Sequence, residues 1–379
     1  MKSIKTLFAA ALLLAASNFA GAQDATDLYN EGLQLKTDKK VAEAAEKFKQ
    51  AFTARPDYTE AHYEYGWCMN DLQKYITAIE HLRKARIGWD FVPKVHFELG
   101  YAFEKSSMYD SAVKEYNRCL ELKPDYSGVY RQLGYIAYEK EDYEKALAHF
   151  KKYEEITKDP ITSYLYWHRK GYMNNNQKDY YSAKTALKKS LEFKTDNLNT
   201  WLELGFACKN LKQDDDAIGY YQKAMEVDPA SYVPYNGIGE IYRDNKKDMD
   251  EAIAWYKKAL DKKARERKAS FGIGYCLNSK QQYNDAIPYL KTAIAEEPTY
   301  TAAYTEIGYS YFKVSNYTDA LFNLDKAMKL NPENVNSRYY ATLVYIAQTN
   351  KSMAQKMVDE LKALNSGYVD ELQAKVNAM

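Results

Sequence analysis

Along most of the chain, apolar residues recur every three or four positions in runs that stop at a turn signal; YQKAMEVD (221–228), closed by Pro229, is typical. That spacing puts the apolar side chains on one face of an α-helix. The proline marks its end, because it has no N–H to donate and its ring collides with the preceding turn. Pro56, Pro124, Pro298 and Pro332 close comparable runs. The pattern predicts helix, short turn, helix, turn, repeated along the chain. At the carboxy end Val369, Leu372, Val376 and Met379 share one helical face, with Asp370, Glu371, Gln373, Lys375 and Asn377 off it. A last helix over 369–379 is therefore expected to cover the end of the array.

A comb of small residues sets the period. Glycine stands at Gly32, Gly66, Gly100, Gly134, Gly171, Gly205, Gly239, Gly274 and Gly308, at intervals of 34 residues except for one of 37 and one of 35. Alanine follows each twelve residues later at Ala44, Ala78, Ala112, Ala146, Ala183, Ala217, Ala286 and Ala320, and thirteen later at Ala252. A tenth repeat keeps Ala354, with Thr342 in place of the glycine. Where two antiparallel helices cross, small residues let the backbones approach, so the comb predicts helix pairs packed at a glycine–alanine seam. The longer interval falls in EITKDPITSYLYWHR and the 35-residue one in RDNKKDMDEA; each is expected to lengthen a turn, and the first is the candidate hinge.

Residues 198–231 carry Trp201, Leu204, Gly205, Cys208, Ala217, Tyr221, Ala224 and Pro229. This resembles the tetratricopeptide repeat, with its 34-residue W-x2-L-G-x2-Y, A-x3-F, P signature, Cys208 standing for the tyrosine and Tyr221 for the phenylalanine. The resemblance implies an all-α, right-handed superhelical solenoid of about ten helix-turn-helix units over residues 23–368. It also implies a concave inner face, with 369–379 as the capping helix.

With the glycine counted as the eighth residue of a repeat, the ninth is aromatic at Trp67, Tyr101, Tyr135, Tyr172, Phe206, Tyr275 and Tyr309. The fifth is Tyr63, Phe97, His168 and Phe271 in four repeats. In the family this side of the first helix lines the groove. The rings have two readings: they pack between neighbouring first helices and stiffen the array, or they form a strip on which a partner lies, tyrosine giving an apolar face with a polar tip. Taken as a whole, the groove reads as a binding surface. A subset of the family clamps a peptide carboxylate there, but this chain departs from that pattern, with Glu64, Glu98, Glu203 and Glu306 at the sixth position and aromatics at the ninth. A basic, aromatic or proline-rich extended segment suits it better.

Composition narrows the function. A formal charge of +1, from 53 basic and 52 acidic side chains, gives no field for nucleic acid or an anionic membrane. Cys68, Cys119, Cys208 and Cys276 fall at buried positions of different repeats and read as small apolar fillers rather than disulfides. Lys2 and Lys5, the apolar run from Leu7 to Ala16 and then Ala20-Gly21-Ala22 predict an export signal over residues 1–22. The protein is then exported, periplasmic if the cell is Gram-negative and otherwise secreted, with no transmembrane segment. No phosphate loop, metal motif or nucleophile constellation is present, so no catalytic residue, metal or cofactor is expected. His62, His81, His96, His149 and His168 have repeat-register explanations. The sequence thus reads as a non-catalytic protein-binding scaffold or adaptor of the cell envelope. A polysaccharide-binding protein using the aromatic strip and a self-assembling structural component are the alternatives.

Overall fold

A computed structural model describes residues 24–379; the expected export signal lies outside the described residues. The chain divides into two compact bodies, one ending at Ile161 and the other spanning Thr162–Met379. The division falls within the segment that carries the three-residue insertion.

Among the described residues every regular element is helical. The first body holds α1 (24–37), α2 (Val41–Ala54), α3 (Thr59–Asp71), α4 (Tyr75–Trp89), α5 (Pro93–Lys105), α6 (Tyr109–Leu122), α7 (Ser127–Glu139) and α8 (Tyr143–Ile156). The second holds α9 (Tyr164–Asn176), α10 (Tyr180–Phe193), α11 (Leu198–Asn210), α12 (Asp214–Val227), α13 (Val233–Glu240), α14 (Met249–Lys262) and α15 (Arg267–Ser279). It continues with α16 (Tyr283–Glu296), α17 (Thr301–Lys313), α18 (Tyr317–Leu330), α19 (Val335–Ala347), α20 (Lys351–Ala363) and α21 (Val369–Asn377). From α3 onward, first helices begin on the opening residue of their repeats, α13 one residue later. Side-chain oxygens cap helices of both kinds: Ser163 and Asn197 before first helices and Asp142 and Asp179 before second helices each accept the N–H of the residue three further on. At the end of the array, α21 buries Leu372 and Val376 in one cluster with Ala354, Val358 and Leu361 of α20.

The glycine comb has a more specific cause than a glycine–alanine seam. A β-carbon at each of the nine comb glycines would sit 2.3–2.7 Å from the side chain sixteen or seventeen residues on: Phe48, Leu82, Tyr116, Phe150, Leu187, Tyr221, Tyr256, Leu290 or Leu324. Each of these lies over its glycine and is buried. The alanines on the same second helices are fully buried as well. Alanine lets the second helix come close, so that the Ala320 carbonyl oxygen would be 3.3 Å from a β-carbon at Gly308; the larger residue then fills the space that glycine leaves.

First helices end without glycine. Gln73, Glu141, Gln281 and Thr349 are among the residues at the turn with φ between 54° and 63°. After α19, the Thr349 N–H donates to the Ile346 carbonyl at 2.9 Å and the Asn350 N–H to the Tyr345 carbonyl at 2.8 Å, a Schellman ending. A β-branched residue is strained in this left-handed conformation. Thr349→Gly is expected to raise stability by about 0.5 to 1 kcal/mol, the relief of strain exceeding the entropy that glycine loses on folding. A lower urea midpoint for the variant would contradict this.

One expectation is corrected. The single extra residue in RDNKKDMDEA does not lengthen the turn between helices. It is taken up by a π-helical turn at Ile241–Lys246 that prolongs α13, closed by Lys247 at φ 56° and by the Asp248 N–H donating to the Tyr242 carbonyl at 2.9 Å. Widening the helix keeps the backbone groups paired, which an open loop would not. The four cysteines are free and buried, and burial pushes the thiols of Cys68, Cys119 and Cys276 up to about 12.

Candidate partner-binding face

The fifth-position rings are built into the helix pairs. Phe97 stacks on Tyr126 at 5.0 Å between centroids, Phe271 meets Tyr300 edge-on at 5.0 Å, and Tyr63 packs on Trp89 at 5.7 Å. Their partners stand at the close of the same repeat, so each ring pins the loop leaving the helix pair. Tyr63 is buried and presents no face to a partner. His168 is half-buried, with Nδ1 3.1 Å from the Thr200 hydroxyl.

The ninth-position rings behave differently. Tyr101, Phe206 and Tyr309 each meet, edge to face, the tyrosine that opens the second helix of the repeat before: Tyr75, Tyr180 and Tyr283, at 6.4, 6.0 and 5.7 Å. An edge contact orients a ring and leaves its faces available, as for Phe206, whereas Tyr309 also stacks on Tyr340 at 4.6 Å. Phe206 and Tyr275 are exposed; Trp67, Tyr101, Tyr135, Tyr172 and Tyr309 are half-buried. The packing reading therefore accounts for some rings and leaves others with exposed surface. The fifth position belongs to the architecture, and the ninth combines architecture with exposed surface.

Between these rings runs a repeated polar contact. Asn70, Asn175 and Asn278, at the twelfth position, each donate from Nδ2 to both the backbone carbonyl and the side-chain carboxylate of the sixth residue of the next repeat: Glu98, Glu203 and Glu306. Burial pushes all three carboxyls up, the asparagine hydrogen bonds opposing it. In the first body a cavity of about 350 Å³ is lined by Asn70, Phe97, Glu98, Tyr101 and Arg131 among others. In the second body a cavity of about 680 Å³ lies over α9, α11 and α13.

The larger cavity opens where the repeat pattern breaks. The repeat beginning at Tyr232 has Asn236 at the fifth position, Gly237 at the sixth and Glu240 at the ninth, where the repeats beginning at Thr59 and Pro93 carry a ring, a glutamate and a ring. A β-carbon at Gly237 would lie 2.4 Å from Cζ of Tyr221, so glycine here admits the tyrosine from α12 into the cavity wall. Glu240 is paired with Lys209. Asn236 donates to Glu266 at 2.9 Å, and Glu266 also accepts the Ala269 N–H at 2.7 Å. Of the rings singled out in the sequence, Tyr172 and Phe206 line this cavity. Asn175, Asn236, Glu240 and Glu266 were not singled out, although the break in register marks the two from the irregular repeat.

Profiles described as tetratricopeptide repeat match residues 29–93, 97–160, 164–197, 198–231 and 215–267, together more than half of the chain. The chain belongs to the tetratricopeptide-repeat family. A profile described as anaphase-promoting complex, cyclosome, subunit 3 matches residues 245–327. Tetratricopeptide repeat protein 37 of Xenopus laevis is 34% identical over 86 residues, 22% of this chain and 6% of that protein. Anaphase-promoting complex subunit 3 of Schizosaccharomyces pombe is 30% identical over 111 residues, 29% of this chain and 16% of that protein. The matches thus span a small part of these curated relatives. The solved APC/C hetero-tetramer Cut9-Hcn1 is similar with a TM-score of 0.50 and 13% identity, covering 97% of this chain and 95% of that one, a likeness of fold alone.

The tetratricopeptide register also explains two of the histidines, His62 and His96. At the fourth position, where the signature has tryptophan, Trp201 donates from Nε1 to the Thr195 carbonyl at 2.7 Å and Tyr130 from its hydroxyl to the Pro124 carbonyl at 3.0 Å. His62 and His96 stand at the same position, each with Nε2 against the carbonyl six residues earlier, Pro56 at 3.0 Å and Asp90 at 2.9 Å. The position calls for a ring with a donor that ties down the preceding turn, and histidine supplies one. Nδ1 of His62 faces Nδ1 of His81 at 3.0 Å, whereas Nδ1 of His96 faces the Glu115 carboxylate at 2.7 Å. Among the described residues no group of three or more His, Cys, Asp or Glu side chains is placed to hold a metal ion, and no helix is long and apolar enough to cross a membrane.

Proposed function

We propose that the protein is a non-catalytic adaptor of the cell envelope that docks an extended segment of another protein on the first-helix face of its second body. The observation that carries this reading is the 680 Å³ cavity over α9, α11 and α13, with Phe206 exposed on its wall. It combines an aromatic wall with fixed polar groups, the make-up of a recognition surface. Its groups are held by hydrogen bonds within and between repeats, so binding costs little ordering of the site. The envelope assignment rests on the charged, apolar and small-residue order of residues 1–22.

Affinity capture from the native envelope fraction, with wild type and the Phe206→Ala/Tyr172→Ala double variant as bait, tests the docking. A protein recovered by wild type and lost with the folded variant is the expected result; identical recoveries would contradict it. Mass spectrometry of the chain made in its own host tests export. A mature chain starting at Gln23, found outside the cytoplasm, is expected, and a full-length chain retained in the cytoplasm would overturn the envelope assignment.

A further inference from the structure

Two buried acceptors in the wall of the larger cavity lack donors. Asn175 and Asn236 are each 4% exposed, both line it, and the side-chain oxygen of each has no hydrogen-bond partner. Their orientation is fixed, because the amide nitrogens are committed to Glu203 and Glu266. Turning either amide would set oxygen against carboxylate. A sister repeat shows what such an oxygen requires. Asn278 makes the same contact with Glu306, and its oxygen accepts the Ser310 hydroxyl at 2.7 Å. The residue corresponding to Ser310 beside Asn175 is Ala207, which has no donor.

Charge points the same way. Of the carboxylates that line the cavity, Glu266 is 6% exposed, and Glu203, half-buried, is held by Asn175 rather than by a cation. Glu240 is neutralised by Lys209, and at the rim Arg267 is taken up by Glu297 at 3.0 Å. Lys178 and Lys268 are exposed at the rim, where solvent screens them. The buried floor is therefore anionic and rich in acceptors, and its walls carry the rings of Tyr172, Phe206 and Tyr232.

We propose that this cavity seats arginine side chains of a basic, extended segment in the partner protein, their guanidinium groups donating to the Asn175–Glu203 and Asn236–Glu266 pairs. A guanidinium is the side chain that brings several donors in one plane and also stacks on an aromatic face. It supplies the countercharge that Glu203 lacks, and donors for the asparagine oxygens once the cavity lining shifts to admit it, since each oxygen has less than 1 Å² of accessible surface here. The inference rests on the adaptor reading and gives its partner a chemistry.

The test is fluorescence anisotropy of the mature chain with a labelled hexapeptide of alternating glycine and arginine. The same peptide is also made with citrulline, which keeps the shape and removes the charge, and with glutamate. The arginine peptide is expected to bind about ten-fold or more tightly than the citrulline peptide, the loss expected when charge-assisted hydrogen bonds are removed. Glu203→Gln, which keeps the side-chain shape, and Asn236→Leu should each weaken arginine-peptide binding by a similar factor. Asp110→Asn in the first body makes the same change of net charge as Glu203→Gln and should leave the affinity unchanged. Circular dichroism and melting confirm that each variant is folded.

Equal binding of the arginine and citrulline peptides would overturn the proposal, as would preference for the glutamate peptide or an arginine affinity indifferent to Glu203→Gln. If the peptide result is negative while capture from the envelope still depends on Phe206 and Tyr172, the adaptor reading stands and the arginine assignment falls.

Discussion

Alanine at Gly134 is expected to destabilise the fold by about 1–3 kcal/mol, and alanine at Gly219 to stabilise it by about 1 kcal/mol. Both glycines are helical, so both substitutions gain the same backbone entropy. They differ in what the new methyl group meets. At Gly134 it would lie 2.3 Å from Cε1 and 2.4 Å from Cδ1 of Phe150, a ring with no accessible surface and therefore no free direction in which to move. At Gly219 nothing lies within 4 Å. The alanines opposite follow the same logic. Ala146 and Ala217 are fully buried, so leucine at either overpacks the helix pair and costs about 1–3 kcal/mol or more. Urea unfolding reads all four, with an unchanged slope showing that stability alone has moved. Matching gains at Gly134 and Gly219 would refute the packing account.

Acidification should weaken the first body through one histidine pair. His62 gives its Nε2 proton to the Pro56 carbonyl, so its Nδ1 accepts and Nδ1 of His81 donates. Protonating His62 would set two N–H groups against each other, and protonating His81 would place a charge on a buried ring beside another imidazole. Burial first, then the neighbouring His62, drives His81 down from 6.5 to about 4; burial lowers His62 as well. Between those values the unfolded chain takes up a proton that the native state refuses, so the stability present above pH 6.5 is lost as pH falls toward 4. With His81 only 9% exposed, the loss amounts to roughly 3 kcal/mol.

His96, at the same register one repeat later, has the opposite sign. Burial lowers it, but the Glu115 carboxylate and the Asp90 carbonyl more than offset that and hold it above 6.5. Its contribution is full below pH 6.5 and is lost as pH rises through the native value. A His81→Gln variant, which keeps a donor for His62, should lose roughly 3 kcal/mol less than wild type between pH 6.5 and 4. Parallel pH–stability curves for the two proteins would exclude the paired-histidine explanation.

Much of the architecture was legible from spacing. A 34-residue comb of Gly and Ala fixes both the period and the helix boundaries, because each repeat must solve the same packing problem. The agent that excludes a side chain at the glycine was also present in the signature, as the large residue four beyond the alanine, but only the structure lays that residue over the glycine. The extra residue before Asp248 was visible as a count. A count cannot distinguish a longer turn from a π-helical one; the backbone hydrogen bonds decide that.

The candidate face was legible in outline and hidden in detail. Ring positions follow from register, but the inward set at Tyr63 and Phe97 differs from the outward set at Phe206 and Tyr275 because of partners such as Trp89 and Tyr126 at the far end of the repeat. The cavity collects Asn175 and Glu203 with Asn236 from two repeats further on. Their convergence depends on how successive helix pairs stack.

The most direct test of the central claim is photo-cross-linking in the native host, with benzoylphenylalanine placed at Phe206 on the cavity wall and, in a second strain, at Phe322, which is 70% exposed on the second helix α18. The account predicts a cross-link from position 206 to a basic segment of one partner protein, weakened by Glu203→Gln and absent from position 322. Partner cross-links from position 322 with none from position 206 would contradict it, because the docking surface would then lie away from the first helices.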